Sequence, residues 1–506
     1  MKQAAIGTYA ETATKSAYLN LLFLGLFVNI ITAFFSVGYH HPDEHFQVLE
    51  FAGYKLGNST LSEIPWEYSA KCRAGLLPFI TFCLAKFLSI LHLYDPFAIA
   101  LILRLVMVAC TWYVTVLLTR EFLPEFTTRT GGLLYVGSSL LLWFVPYLNV
   151  RFSSENVAQL CFFLAVLQIY RSLVRKAGNS SWQLLAAGFL LGISFFIRLQ
   201  MGFALVGLGI WMLFVQKAKW HYWLSLFVGG FIAIGMCVLI DHWLYGVWTF
   251  SPYNYFAVNI LQDKASEFGV SPWWEYFTYF TLAALPPISI ILLVAFFAGI
   301  GKTLRHPFSL LTITFIAGHM FVAHKELRFI FPMLPAFIFL ACMGIDGWLR
   351  RYEDKRLFRI VGGFAIGVNF VMLLFRCVMP AYDAVSYYSF IYSYAKKHRT
   401  QFVSQERSPY NTIDLEANFY KPRGLRSLTV QQAADLTAIV DDDKNESVLY
   451  LSRGLQTPNV KGLQFKRLFC IFPSWLMEFN PNNWQERANI WVIYGVEQSG
   501  TVKGHS

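Results

Sequence analysis

Long apolar runs separated by short polar segments fill the first 380 residues of the chain. A helix needs about 20 apolar residues to cross a hydrocarbon core of ~30 Å. The runs therefore predict about eleven membrane-spanning helices. They lie near residues 17–37, 97–119, 131–147, 156–173, 182–198, 200–216, 221–241, 276–300, 306–323, 328–348 and 357–379.

Lys and Arg residues mark every second loop, which is the pattern expected where positive charge is retained on the cytosolic side. The loops assigned to that side are 1–16, 120–130, 171–181, 217–220, 301–306 and 349–359. Inner and outer loops alternate consistently along the chain only if one further apolar run, 74–93, does not cross the membrane. We interpret that run as an interfacial or re-entrant hairpin on the outer side, so the N-terminus lies inside and the C-terminus outside.

Composition supports this picture. The chain of 506 residues is 56% hydrophobic and only 14% charged, whereas soluble proteins average about 25% charged residues. A net charge of +11 first suggests nucleic acid as a partner. However, the six inner loops contain 16 Lys and Arg against 5 Asp and Glu, an excess equal to that of the whole chain. The charge therefore indicates topology, and no nucleic-acid partner is predicted.

The composition changes near residue 381, where charged residues return and the apolar runs become short. Segments such as VLYL and IWVIYGV alternate with Gly, Pro and Asn, which is typical of strands and turns. The predicted fold class is an all-α polytopic membrane protein with a small C-terminal α/β extracytoplasmic domain. The domains are 1–380, with interfacial helices in the first outer loop at 38–94, and 381–506.

The first outer loop carries a pair of adjacent acids in the sequence HPDEHFQ. Pro42 can begin a helix, and Asp43 and Glu44 then lie in its first turn, where the helix dipole favours carboxylates. One interpretation is that the acids only help the helix to start. The alternative is that one of them is a general base at the membrane–water boundary.

Other outer segments carry candidate substrate-binding groups. Arg151 and Glu155 have the i,i+4 spacing of an ordinary ion pair. His324, Lys325 and Arg328 place three cations at one helix end. They are either a snorkelling cluster or a site for a lipid phosphate, which Arg binds through two hydrogen bonds.

The outer loop 241–276 is rich in Trp and Tyr. Such rings usually form the aromatic belt of a membrane protein. A long loop with paired Trp side chains and Asn254 also suits a sugar-binding platform.

Six motifs occur in a characteristic order: HPDEHFQ, PWEY followed by Arg73, RFSSEN, DHWLYGVW with NYFAVN, FGVSPWWEY and HKELRFIFPMLP. Together, over about residues 38–345, they resemble the GPI-mannosyltransferase and ALG-type mannosyltransferase family. These are integral-membrane enzymes of the GT-C fold that use a polyprenyl-phosphate mannose donor. The RFSSEN segment is a loose version of the family motif.

The resemblance implies an inverting transfer in which Asp43, with Glu44 beside it, is the catalytic base. The lipid phosphate leaves as an anion that needs charge stabilisation, and the candidates to bind it are His324, Lys325, Arg328 and Arg151. The remaining candidates for substrate binding are His41, Gln47, Glu155, Trp248, Asn254, Trp273 and Trp274. Expected partners are a polyprenyl-phosphate-linked sugar donor, a glycolipid or lipid-linked glycan acceptor, and membrane lipids. No metal and no cofactor are expected, because the outer loops have no Gly-rich phosphate loop or DxD motif.

The expected location is the endoplasmic reticulum membrane or a bacterial inner membrane, with the active site on the luminal or periplasmic side. A transporter or flippase of a lipid-linked sugar is the alternative function. Transporters place ionisable groups near the membrane midplane, often within internal repeats. Here the charges gather on one face and the sequence shows no repeat, which favours an enzyme.

Overall fold

The computed structural model describes residues 2–176, 181–352, 354–405, 408–412, 414–442, 446–455, 457–488 and 490–499. Helices dominate the described chain as far as residue 395. The longer ones are Lys2–Phe35, Leu76–Ile90, Pro96–Phe122, Arg129–Leu141, Ser154–Leu173, Ser181–Ile197, Met201–Ile210, Trp220–Tyr245, Ile288–Lys302, Pro307–Phe321, Leu334–Tyr352, Arg356–Val378 and Ala384–Ala395.

Short helical segments lie between the long helices and in the C-terminal region. The α-helical ones are Pro42–Glu44, Phe51–Lys55, Trp66–Ser69, Val145–Asn149, Ser251–Phe256, Glu275–Ala283, Leu436–Asp442, Ser474–Met477 and Trp484–Arg487. Turns of π-helix span His45–Glu50, Trp211–Val215 and Ala257–Leu261. Turns of 3₁₀-helix span Leu61–Glu63, Leu123–Glu125, Lys264–Phe268, Leu327–Met333, Asn418–Tyr420, Ala433–Asp435 and Pro481–Asn483.

Each predicted apolar run forms helix, but the number of eleven spans is not confirmed. Six described helical segments are long and apolar enough to cross a membrane. They are Ser16–Phe35, Pro96–Glu125, Ser154–Leu173, Trp220–Tyr245, Leu327–Tyr352 and Arg356–Val378. Five further apolar helices are shorter, between 10 and 17 residues.

Three predicted elements differ in the structure. Run 131–147 is broken into two helices, and run 276–300 is broken where Pro286 and Pro287 follow each other. Proline lacks a backbone N–H and disfavours helix in the residue before it, so a proline pair interrupts a helix. Run 74–93 is one continuous helix, Leu76–Ile90, and the predicted hairpin is therefore wrong. At 1.5 Å per residue, its 15 residues are shorter than the membrane core.

Glycines allow close contact between the helices that lead to the outer loops. A Cβ atom at Gly188 would lie 2.1 Å from the carbonyl oxygen of Leu226, and one at Gly229 would lie 2.0 Å from that of Leu185. Helices Ser181–Ile197 and Trp220–Tyr245 thus approach backbone to backbone, as small residues permit in membranes. This contact fixes the helix at whose end Arg198 lies.

A five-stranded sheet follows the helices. The seven strands of the C-terminal region are β1 (Thr400–Gln405), β2 (Asn411–Thr412), β3 (Leu415–Glu416), β4 (Arg426–Val430), β5 (Ser447–Arg453), β6 (Leu463–Cys470) and β7 (Trp491–Gln498). The order in the large sheet is β4-β1-β5-β7-β6. Strand β1 pairs in parallel with β4 and β5, and β7 pairs antiparallel with β5 and β6. The short apolar runs predicted as strands are strands.

The chain divides into two compact units. The helical unit consists of residues 1–36, 66–83 and 100–379, and the second unit of 37–65, 84–99 and 380–506. The last segment of the second unit begins at residue 380. That unit also includes the first outer segment with its acid pair, so the acids and the C-terminal region belong to one body.

The predicted side of helix Leu76–Ile90 leads to a test of topology. We expect a Leu93→Cys variant, in a background without other cysteines, to react with a membrane-impermeant maleimide from the outer side of sealed vesicles. The matched control, Leu304→Cys, lies in a predicted inner loop, and both leucines are exposed. Labelling of Leu93→Cys only from the cytosolic side contradicts the proposed sidedness.

Candidate active site

The acid pair lies in a capped helical turn, residues 40–44, which we call the acid turn. Pro42 occupies its first helical position, and the Nδ1 atom of His41 accepts the Asp43 N–H at 3.2 Å. Carboxylate oxygen Oε2 of Glu44 accepts the His40 N–H at 3.1 Å. The bond to the Asp43 N–H satisfies a group that the first turn of a helix leaves unpaired, and the bond to the His40 N–H holds the residue that precedes the cap.

The two acids therefore have different surroundings. Glu44 supports the backbone of the acid turn, which is the structural role considered from the sequence. Asp43 lies with its Oδ1 atom 3.4 Å from His41 Nδ1, and its side chain is 21% exposed. Gln47, beyond the turn, is half-buried.

A cluster of buried charged side chains lies in the helical unit. Glu155 follows Ser153, which caps helix Ser154–Leu173. Oxygen Oε1 of Glu155 is 2.9 Å from Nη1 of Arg198 and 3.6 Å from Nη1 of Arg328. Arg328 also binds Glu326 through Nε. We call Glu155, Arg198, Glu326 and Arg328 the charge cluster. All but the half-buried Glu326 are buried, and buried charges are retained only with partners.

Arg198 uses only part of its hydrogen-bonding capacity. Its Nη1 donates to Ser154 Oγ at 3.2 Å and pairs with Glu155. Its Nε and Nη2 atoms are buried and have no acceptor among the described residues. These two atoms form one edge of the guanidinium group, and such an edge binds two oxygens of a phosphate or carboxylate at once.

Other buried polar atoms surround the same arginine. The hydroxyl of Tyr276 and Nε2 of His319 have no hydrogen-bond partner in the described part of the chain. Their rings lie 6.2 Å apart, and both are within electrostatic range of Arg198. Buried polar groups normally find partners, so this grouping is typical of a site for a polar ligand.

His324 and Lys325 tie the charge cluster to the aromatic loop. His324 Nε2 is 2.9 Å from Glu326 Oε1, and its Nδ1 is 3.1 Å from the carbonyl oxygen of Gly269. Lys325 Nζ donates to the carbonyl oxygens of Ser271 and Val322, at 3.0 and 2.7 Å. Burial lowers the pKa of Lys325, an effect that the nearby Glu275 carboxylate opposes. The snorkelling interpretation does not fit a lysine held inside by carbonyl groups.

The aromatic side chains of this loop are largely exposed. Trp273 and Trp274 are in edge-to-face contact at 5.6 Å, while Trp248 stacks on His242 at 4.3 Å. Asn254 donates to the carbonyl oxygen of Lys71 and to Thr249 Oγ1. Its amide thus stabilises the loop, and the exposed rings remain the candidates for contact with a sugar or with lipid.

Arg151 lies at the end of the first long helix. Its guanidinium donates to the carbonyl oxygen of Tyr147 at 3.2 Å and to the carbonyl and hydroxyl oxygens of Ser36. Arg104 Nε donates to the carbonyl oxygen of Ala33 at 2.7 Å. Two cations therefore satisfy the last carbonyl groups of helix Lys2–Phe35 and complement its dipole. The predicted phosphate-binding role of Arg151 stays a prediction beside this structural one.

Sequence analysis missed Arg198, Glu326 and the buried residues His45 and Glu50. The signal for Arg198 was present, because an arginine on the outer side departs from the positive-inside pattern. Glu155 was identified, but its partner Arg198 is 43 residues further along the chain. Among the described residues, no group of three or more His, Cys, Asp or Glu side chains is arranged to hold a metal ion.

The arrangement of helices defines the class of protein. The protein is an integral membrane protein of the GT-C fold. The crystal structure of ArnT from Cupriavidus metallidurans bound to undecaprenyl phosphate superimposes with a TM-score of 0.53 and 11% sequence identity, covering 99% of this chain and all of that one. At that identity the likeness shows the fold.

The sequence identifies the family. Residues 20–421 match the model of the Alg9-like mannosyltransferase family, and the chain belongs to that family. Mannosyltransferase APTG1 of Arabidopsis thaliana is 27% identical over 321 residues, 60% of this chain and 55% of the relative. GPI mannosyltransferase 4 of Candida albicans is 27% identical over 352 residues, 64% of this chain and 67% of the relative. The chain thus spans about half the length of the plant relative and two thirds of the fungal one.

The two roles considered for Arg151 predict different results for an Arg151→Gln variant. If the guanidinium caps the first helix, the variant leaves buried carbonyl groups unsatisfied and loses about 1–3 kcal/mol of stability. We expect a lower unfolding temperature in detergent with a donor KM within about threefold of the wild type, a change under the tenfold that 1.4 kcal/mol represents.

The matched control is Arg175→Gln, which removes a half-exposed ion pair with Glu121 and is expected to cost less than about 1 kcal/mol. An Arg151→Gln protein with wild-type thermal stability but a raised donor KM overturns the capping role and supports phosphate binding.

Proposed function

We propose that the protein transfers a mannosyl residue from a polyprenyl-phosphate donor to a glycolipid or lipid-linked glycan acceptor, with inversion, on the luminal or periplasmic side. Family membership and the names of the relatives support mannosyl transfer. The single observation that carries the donor class is the buried, unused edge of the Arg198 guanidinium. An anion with two adjacent oxygens matches that edge, and a phosphate diester is such an anion.

Asp43 is the proposed general base. Its carboxylate takes the proton of the acceptor hydroxyl as the hydroxyl oxygen forms a bond to the anomeric carbon. The bond between that carbon and the phosphate oxygen breaks, and the electron pair leaves with the polyprenyl phosphate. Because attack and departure occur on opposite faces, a β-linked mannose becomes an α-mannoside. Glu44 holds the backbone of the acid turn, which leaves Asp43 as the better placed of the two acids.

The charge cluster is the proposed site of the leaving phosphate. The departing group gains negative charge in the transition state, and preorganised donors stabilise charge at such a point. Arg198 and Arg328 both bring guanidinium groups to Oε1 of Glu155, and both lie 5.3 Å from the centre of the Phe329 ring. A phosphate that leaves as an anion needs no general acid, so one carboxylate suffices for the reaction.

The first test is an Asp43→Asn variant, which keeps the size of the side chain and removes the base. We expect the transfer rate to fall about a hundredfold to ten-thousandfold, the usual contribution of general base catalysis. The assay combines purified protein, polyprenyl-phosphate mannose and a panel of lipid-linked acceptors, with mass spectrometry and α-mannosidase digestion of the product.

Asp263→Asn is the matched control, because Asp263 is an exposed acid of another outer loop and its variant is expected to keep wild-type activity. Full transfer by Asp43→Asn excludes this residue as the base. Lipid translocation without any transferred mannose, in the wild type itself, contradicts the proposed function and favours a flippase.

The second test concerns Arg198. An Arg198→Lys variant keeps a cation for Glu155 but loses the two-donor edge, and Arg198→Gln loses both. Charge-assisted hydrogen bonds contribute about 1.5–3 kcal/mol each, so we expect the donor KM to rise about tenfold or more in both variants. Lys264→Gln, which breaks an exposed pair with Glu267, is the control. A donor KM that is unchanged in a folded Arg198→Lys protein rules out phosphate binding at this edge.

A further inference from the structure

A buried, hydrogen-bonded His–Glu pair follows the acid turn directly. His45 and Glu50 are almost completely inaccessible to solvent, and His45 Nε2 lies 2.7 Å from Glu50 Oε1. The same oxygen accepts the backbone N–H of Phe419 at 2.8 Å. Nε2 of His45 and Oε1 of Glu50 thus share a buried hydrogen bond. Neither residue has a role in the proposed transfer reaction.

The pair depends on a local change of helix type. Residues five apart lie about 140° apart around an α-helix, so His45 and Glu50 would point to different sides. Residues His45–Glu50 form a π-helix, whose hydrogen bonds join residues five apart. The wider turn brings the two side chains onto one face, where they meet Phe419.

Aromatic rings enclose the histidine. The His45 ring stacks on Tyr39 at 5.5 Å and on Tyr420 at 5.3 Å. Tyr39 precedes the acid turn and stacks in turn on Tyr382 at 4.5 Å. The imidazole is therefore held between one ring from the first outer segment and one ring from the C-terminal segment.

The chain entering the acid turn is attached to the same C-terminal segment. The carbonyl oxygen of Val37 accepts the backbone N–H groups of Ala381 and Tyr382, at 2.8 and 3.1 Å. Gly38 has a φ of +86°, and a Cβ atom there would lie 2.6 Å from Cβ of Tyr382. Only glycine fits this close approach with that backbone conformation. Both ends of the acid turn are thus anchored to residues 381–382 and 419–420.

We propose that the buried His45–Glu50 pair is a positioning device that fixes the acid turn on residues 419–420, so that this part of the C-terminal region is required for catalysis. The inference rests on the proposed role of Asp43. A general base must lie within hydrogen-bonding reach of the proton it takes. A displacement of the base by about 1 Å lowers the rate of the reaction roughly a hundredfold. The pair itself touches no substrate and acts through the backbone of residues 40–44.

The experiment measures kcat and KM for both lipid substrates in Glu50→Gln, His45→Ala and the double variant. We expect kcat to fall about tenfold to a hundredfold while both KM values stay within about threefold, because lipid binding is left intact. The double variant is expected to be no slower than the slower single variant, since residues that act as one unit are not additive. His45→Gln, whose amide nitrogen replaces Nε2, is expected to keep more activity than His45→Ala.

The matched control is Lys421→Gln, which removes a partly exposed ion pair with Glu416 in the same segment and is expected to leave kcat unchanged. If Glu50→Gln does not fold, Tyr420→Leu replaces it, because that variant removes one stacked ring and keeps the hydrogen bond between His45 and Glu50. The same loss of kcat is expected, to a smaller degree.

Asp43→Asn, measured in parallel, separates this proposal from the proposed function. An active Asp43→Asn enzyme overturns the assignment of the base. An inactive Asp43→Asn together with wild-type kcat in folded Glu50→Gln, His45→Ala or Tyr420→Leu overturns the positioning role alone. Additive losses in the double variant, or equal losses in kcat and substrate binding, also contradict it.

Discussion

Two guanidinium groups approach one carboxylate oxygen of Glu155 inside the helical unit, and several helix ends are placed by that contact. Removing a charge from water costs several kcal/mol unless a partner compensates it. Glu155 lies in the first turn of helix Ser154–Leu173, Arg198 follows helix Ser181–Ile197, and Arg328 lies in the turn before helix Leu334–Tyr352. The need to pair these charges therefore brings three helix ends to one place, each on the predicted outer side.

The second unit meets the same constraint in a similar way. Oxygen Oε1 of Glu50 is hydrogen-bonded to both His45 and the Phe419 amide, as Oε1 of Glu155 serves two arginines. In each unit a carboxylate holds a group to which the proposed reaction assigns a role. Glu155 orients Arg198 so that its other edge remains available, and Glu50 anchors the turn that carries Asp43. In the second unit, the structural acid Glu50 and the proposed base Asp43 are thus different residues.

The sequence predicted the helical architecture well, because a long apolar run has few alternatives to a helix in a membrane. It predicted that Asp43 lies in the first turn of a helix, because the preceding proline is a local signal for a helix start. It did not predict the pairing of Glu155 with Arg198, since i,i+4 spacing suggested Arg151 as the partner and tertiary proximity leaves no trace in a single sequence. It also missed His45 and Glu50, because α-helical periodicity places them on different sides and only the π-helix brings them together.

The match to the family model ends at residue 421, immediately after the segment that anchors the acid turn. The strands beyond that point are nevertheless tied to the anchor. Strand β1, which precedes the anchor segment, pairs with β4 and β5 on its two sides, and both of those partners lie beyond residue 421. A chain cut at 421 would keep Phe419 and Tyr420 but remove both neighbours of β1. Because unpaired backbone groups in a buried strand are costly, the later strands stabilise the segment on which the proposed base depends.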